Sequence, residues 1–329
     1  MQKRKIIFRD ISWLSFNNRV LQEAADQTVP LRERIRFLGI FSNNLDEFFR
    51  VRVAALNRMI EFGSKSRMHL EIDPGAILEE IQEMVLEQQR EFDRIWNEIL
   101  RELKKEKIQL VNEKQLNRTQ QQFVLDYFNE EIRSNIIPLM IESIQNFPVL
   151  NDKSIYLACR LSKKDKSIPQ KFALVSVPTR RLSRFIILPA KNAETHIILL
   201  EDVIRFCLPH IFSFFGYDTF SSYLIKVTRD SEIDLDNDIS TSLIQKIEKG
   251  LKSRKKGKPV RFVFDKAIDP ALLSFLVKRM GLMKKDNLIP GGRIHNFKDF
   301  INFPESVFSQ KKIRKKPFIH PALKNLNNV

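Results

Sequence analysis

From Leu31 to Phe62 the chain runs without a proline and with a single glycine, Gly39. Apolar residues recur along it at helical spacing, and Pro30 suits the first turn, so it reads as one long helix. A second such stretch, about 76–107, carries Ile77, Ile81, Met84, Val85, Phe92, Ile95, Trp96, Ile99 and Leu103 on the 3.6-residue period. Long helices with one apolar stripe are stable in water only when the stripes are buried against each other. Trp13–Ala25 adds a shorter amphipathic segment, with Ser12 or Asp10 available as cap. Residues 63–75 break the pattern with Gly, Ser, Lys and Pro. The first 110 residues are therefore expected to be helices only, packed as a bundle of three or four.

The character changes after Val111. One more helix, about 119–134, is followed by Pro138 and then by β-branched and aromatic runs: SIYLACRLS, KFALVSVP, RFIILPA, SYLIKV and VRFVFD. Helical stretches are expected between them at about 201–214, 239–252 and 270–280. This pattern predicts an α+β or α/β domain with a mixed sheet. A length of 329 residues accommodates roughly two domains of about 150 residues each.

No apolar run approaches the roughly 18 residues of a membrane span, and the basic N-terminus lacks the apolar stretch of a signal peptide. Two cysteines, Cys159 and Cys207, make neither a disulfide framework nor a zinc site. A cytoplasmic protein is the plain expectation. The net charge of +16 is unevenly placed: residues 251–329 hold 19 Lys and Arg against 5 Asp and Glu. Such a block attracts polyanions, or is a solvated tail or linker.

Several common sites are excluded. KKGKPVRF lacks the first glycine and the Ser/Thr of a phosphate loop, and no G-x-G-x-x-G occurs. The histidines (His69, His196, His210, His295 and His320) have no metal-ligand spacing. DLDND at 234–238 resembles the start of a calcium loop, but Ile239 replaces the required glycine and Gln245 the bidentate glutamate. No nucleophile–base pair is evident, so no catalytic or metal-ligating residue is assigned. PGGRIHNFKDF (290–300) remains. Gly291-Gly292 supplies a turn, and Arg293, His295 and Lys298 are either anion ligands or part of a structural turn. SRKKGKPVRF (253–262) is likewise an anion-binding loop or solvated charge.

Asn43 and Asn44 stand inside the long helix, where asparagine is a poor resident. At about 100° per residue, Asn44 falls in a stripe with Phe37, Ile40, Phe41, Phe48 and Val51. Asn43 falls on a charged face with Arg32, Arg36, Glu47 and Arg50. A polar amide in an apolar stripe either is structural, bonding a neighbouring helix or backbone or capping a break at Ser42, or meets a ligand.

The string DISWLSFNNRVLQEAADQTVPLRERIRFLGIFSNNLDEFFRVRVAAL, residues 10–56, resembles the opening of the polyphosphate kinase family, which reversibly builds polyphosphate from ATP. KVTRDSEIDLDNDIS, KGKPVRFVFD and IPGGRIHNFKDFINFP resemble that family's middle, or head, domain. The resemblance implies a three-helix, spectrin-like bundle over 1–110 forming one wall of the nucleotide pocket. It implies an α+β head domain with a mixed sheet over 111–308, and a basic lead-in over 309–329. It implies ATP and inorganic polyphosphate as substrates, and Asn44, the second Asn of S-N-N-L-D-E-F, as the residue touching ATP. The phosphorylated histidine and the ligands of Mg2+ are expected in C-terminal domains outside this chain, and His320 matches no catalytic histidine. A homodimer or higher homo-oligomer is expected through the bundle and head, with no sequence-specific nucleic acid and at most peripheral membrane contact. The chain alone is expected to be inactive; the alternative is a non-catalytic polyanion-binding and dimerisation module.

Overall fold

Three helical arms come first, in a computed structural model that describes residues 8–61, 73–152, 154–190, 194–231, 258–282 and 288–308. They are α1 (Arg9–Ala25), α2 (Leu31–Phe48) continued by α3 (Ala54–Glu61), and α4 (Pro74–Lys105). Asp73 caps α4, its carboxylate accepting from the Gly75 amide at 2.9 Å, with Pro74 in the first turn. α1 starts earlier than the sequence suggests, with Phe8 at the cap position. Neither Ser12 nor Asp10 caps it. Asp10 is buried and accepts from Arg52 Nε at 2.7 Å and Nη2 at 3.1 Å, so a partner on another helix claims its carboxylate.

The expected single helix over 31–62 is continuous through Glu61 but not uniform. Phe49–Val53 is a π-helical turn between α2 and α3. The carbonyl of Arg50 in this turn accepts from the Ser231 amide at 3.2 Å and from its hydroxyl at 3.3 Å. The wide turn thereby meets the second half of the molecule, as such bulges often do at points of special contact.

The helices-only reading ends at Ile108, where β1 (Ile108–Val111) begins. β1 lies parallel to β6 (Thr195–Leu199), which pairs antiparallel with β5 (Phe185–Leu188). A second sheet has the order β2-β4-β3-β7-β8-β9. Its strands are β2 (Pro138–Met140), β3 (Ile155–Ser162), β4 (Lys171–Ser176), β7 (Thr219–Arg229), β8 (Pro259–Asp265) and β9 (Leu288–Gly291). Among the described strands only its β8–β9 pair is parallel, so both sheets are mixed. All five runs expected as strands are strands. The four the sequence did not announce, β1, β2, β6 and β9, have at most five residues each and lack a distinct β-branched or aromatic run bounded by turn residues such as the one that marks the equally short β5. α5 (Arg118–Tyr127) is opened by a reciprocal Asn117–Gln120 capping box. α6 (Leu200–Phe206), α7 (Leu208–Ile211) and α8 (Pro270–Arg279) complete the set, and the helix expected at 239–252 lies outside the described residues. A helical N-terminal region followed by an α+β domain with a mixed sheet is the fold class.

Alternation along β3 shows how the large sheet is covered. Ile155, Leu157, Cys159 and Leu161 enter a core with α5, α6 and β6, while Tyr156 and Ala158 enter a second core with α8. A third core joins the helices to the rest: Leu38, Phe41, Ile95 and Ile99 pack with Phe185, Val263, Ile289 and Phe300. Phe297 meets Phe92 and Trp96 edge-on at 4.7 and 5.0 Å, and Phe300 meets Trp96 at 5.2 Å.

Gly39 finds its reason here. The short 3-10 helix Phe297–Asn302 lies against α2 so closely that a Cβ on Gly39 would stand 2.7 Å from Ile301 Cγ1 and 2.8 Å from the Ile301 amide nitrogen. No helix among the described residues is long and apolar enough to cross a membrane.

Candidate functional site

α1 and α2 run antiparallel, and three successive rungs join α1 to α2 and to the π-helical turn that follows it. Asp10 pairs with Arg52, Trp13 stacks on Phe48 with ring centroids 4.8 Å apart, and Asn44 Nδ2 donates to Asn17 Oδ1 at 3.1 Å. The segments WLSFN (13–17) and SNNLDEF (42–48), remote in sequence, thus face each other along one seam. Asn17 is fully buried and its own amide donates to the Phe41 carbonyl at 3.3 Å. That bond fixes which end of the Asn17 amide faces Asn44. Beside the rungs lies an open groove of about 290 Å³, lined by Arg9, Asp10, Trp13, Glu47, Phe48 and Arg52.

Asn44 itself is half-buried and does not stand in the centre of an apolar stripe. The buried face of α2 is made by Ile35, Leu38, Phe41, Leu45 and Phe48, whereas Phe37 and Ile40 are half-buried and Val51 is 39% exposed. Periodicity alone placed the stripe too far round, because it weighted Phe37, Ile40 and Val51, which flank the bundle. Asn44 therefore sits on the shoulder facing α1 and makes the inter-helix bond that the sequence allowed as one of two outcomes. One bond leaves Asn44 Oδ1, a carbonyl acceptor, without a hydrogen-bond partner among the described residues.

Two residues on, about 200° round the helix, Asp46 points the other way. It is buried and receives Lys226 Nζ from β7, and Arg261 Nη1 from β8 at 3.4 Å. The Arg261 guanidinium lies over the Phe49 ring, 4.5 Å from its centroid. Burial pushes the pKa values of both Lys226 and Arg261 down, with the Asp46 carboxylate acting against it. Sequence reasoning missed this triad. A signal existed: Asp46 lies next to Leu45 on an apolar face, and Lys226 and Arg261 interrupt two otherwise apolar strand runs.

In PGGRIHNFKDF, the candidate anion ligands Arg293 and His295 are engaged by groups of the protein itself. Arg293 is held by Glu113 and by Asp202 Oδ1 at 2.6 Å. His295 is buried; desolvation holds its pKa down to about 3, and the neutral ring donates Nε2–H to the Leu224 carbonyl at 3.0 Å. Both are structural, and Gly291 ends β9 instead of preceding an element. The adjoining Arg184 is likewise buried, bound to Glu201 and to the carbonyls of His295 and Asn296 at 2.7 Å each.

No group of three or more His, Cys, Asp or Glu among the described residues is arranged to hold a metal ion. The DLDND segment, Lys255, Lys256 and the basic stretch 309–329 with His320 lie outside the described residues.

Residues 6–111 match the family model described as polyphosphate kinase N-terminal domain, and residues 119–303 that of the polyphosphate kinase middle domain. A polyphosphate kinase of Vibrio parahaemolyticus is 44% identical over 306 residues, 91% of this chain and 43% of that protein. One from Escherichia coli K12 is 42% identical over 311 residues, 92% of this chain and 44% of its own length. The crystal structure of polyphosphate kinase from Porphyromonas gingivalis superposes with a TM-score of 0.74 at 29% identity, covering 97% of this chain and 44% of that one. The chain thus spans less than half the length of the relatives it matches.

Proposed function

From the premise that this chain belongs to the polyphosphate kinase family, we propose that it forms the nucleotide-facing and head parts of an ATP–polyphosphate phosphotransferase. The observation that carries this reading is the unbroken likeness along both parts, 44% identity over 91% of the chain. In this reading residues 1–110 form a wall of the ATP site, 111–308 form the head, and 309–329 lead into catalytic domains that supply the phosphorylated histidine and the Mg2+ ligands. Asn44 presents its free Oδ1 to the nucleotide, held in place by Asn17 one helix away. Such an acceptor suits an amino or hydroxyl group of ATP. The assembly is a homodimer or higher homo-oligomer in the cytoplasm, with at most peripheral membrane contact.

Two experiments test this. The 329-residue chain, incubated with labelled ATP and magnesium, should take up no stable label on histidine. A chimera joining it to the remaining part of the Escherichia coli relative should make polyphosphate from ATP. A folded chimera without activity, or labelling of the chain alone, overturns the reading. A second reading, a non-catalytic polyanion-binding and dimerisation module, is favoured by the charge excess in residues 251–329. It predicts polyphosphate capture by the chain alone and no rescue in the chimera.

A further inference from the structure

Behind Asp46 the bundle and the large sheet do not close on each other. They enclose a cavity of about 420 Å³ between α2, α4, the inner strands β7 and β8, and the chain leaving β9. Its lining includes the Asp46 triad, Lys266 with the Asp93 carboxylate within its electrostatic reach, Gly292 and Trp96.

Two features of this cavity are not explained by folding alone. Two buried cations, Lys226 and Arg261, share one buried carboxylate, an arrangement that leaves positive charge in a desolvated place. Among the described residues Arg261 donates only one side-chain hydrogen bond, to Asp46 at 3.4 Å, and its buried Nε has no partner. A well-packed structural ion pair satisfies its guanidinium; this one does not. At the same time Gly292 leaves the space beside it empty: a Cβ there would meet nothing within 4 Å.

We propose that this inter-domain cavity binds a small oxyanion of the phosphate class, seated against Arg261 and Lys226, with Lys266 as a further cation. A tetrahedral phosphate offers oxygens in several directions and can meet these cations beside Asp46. A planar carboxylate offers only two oxygens in one plane. The burial that lowers the pKa values of Lys226 and Arg261 is relieved when a second anion enters. The ligand sits on cations of β7, β8 and the turn after β8, in a gap that α2 and α4 wall off, so it binds the docked arrangement of helices and sheet and stabilises it. Asn44 does not line this cavity, and the inference stands apart from the nucleotide reading.

The test uses the full chain carrying Trp13→Phe, which leaves Trp96 in the cavity wall as the one remaining tryptophan. Orthophosphate and pyrophosphate are titrated at constant ionic strength, with chloride and acetate as comparison salts, while melting temperature and Trp96 fluorescence are followed. A saturable rise in both signals is expected with the phosphates and not with chloride or acetate. Gly292→Leu, which fills the open space, should weaken the effect at least about ten-fold without lowering the melting temperature in chloride. Arg261→Met should abolish it, and Asn44→Ala should leave it unchanged. The proposal fails if acetate acts as well as phosphate, if no saturable response occurs, or if Gly292→Leu responds like the parent. A loss with Asn44→Ala also overturns it, since the signal would then come from the α1–α2 seam.

Discussion

Asn17 holds Asn44: the two amides meet at 3.1 Å across the α1–α2 seam, the first fully buried and the second half-exposed. A polar residue inside a helix is here explained by its partner, and it leaves one acceptor open. In an enzyme of full family length, Asn44→Ala should lose about 1–2 kcal/mol of nucleotide interaction, about 5- to 30-fold in kcat/KM for ATP. Asn43→Ala should cost little. Asn17→Ala should lower stability by about 1–3 kcal/mol, because it strips the Phe41 carbonyl and the Asn44 amide of their partner. Urea unfolding and ATP kinetics together check this. Normal ATP kinetics in a destabilised Asn44→Ala protein would make Asn44 purely structural.

Asp46→Asn should be the most damaging isosteric change in α2. It removes the one carboxylate that pairs with Lys226 and Arg261 among the described residues and leaves two buried cations uncompensated. A loss of about 3–5 kcal/mol is expected in urea unfolding. A loss below about 1 kcal/mol would mean that water already reaches the triad.

Gly39→Ala tests the close approach of α2 and Phe297–Asn302. On an isolated helix this change is favourable, but here the new methyl lies 2.8 Å from a backbone nitrogen that has no rotamer to change. Destabilisation of about 1–3 kcal/mol is expected. Adding Ile301→Ala should not restore stability, because the clash with the backbone remains.

His295 gives stability a pH dependence of known sign. Its pKa is about 3 when folded against a reference of 6.5. The unfolded chain therefore takes up the proton first as pH falls, and the contribution, complete above pH 6.5, is lost towards pH 3. Between pH 6.5 and about 5 the loss is about 2 kcal/mol. His295→Gln keeps a donor for the Leu224 carbonyl and should flatten that part of the profile. Parallel stability curves for parent and variant would place the acid sensitivity elsewhere.

Polyanion affinity should map to residues 251–329, which hold 19 Lys and Arg against 5 Asp and Glu. Binding of polyphosphate should fall steeply with salt as counterions are released, and RNA should compete well. Removing residues 311–329 and neutralising Lys255, Lys256 and Lys258 should abolish it. Unchanged binding would make this charge a solvated surface.

The sequence by itself determined the elements whose stabilisation is local or repetitive. The long helices and five of the strands were legible because apolar side chains repeat at 3.6 or 2.0 residues or run together in β-branched and aromatic stretches, and the family was legible because residues 10–56 form rare combinations in an unbroken string. What it did not determine is what faces what. β1, β2, β6 and β9 exist because a neighbour supplies their hydrogen bonds, so their own few residues carry little signal. Asp10 resembled a cap until Arg52 claimed it, and Arg293 and His295 resembled anion ligands until Glu113, Asp202 and the Leu224 carbonyl did. Asp46, Lys226 and Arg261 lie 180 and 215 residues apart along the chain and form a site only when α2 docks on the sheet. Burial sets the energy of a charge, and burial is a property of the packed whole, so tertiary structure alone decided which charged residues matter.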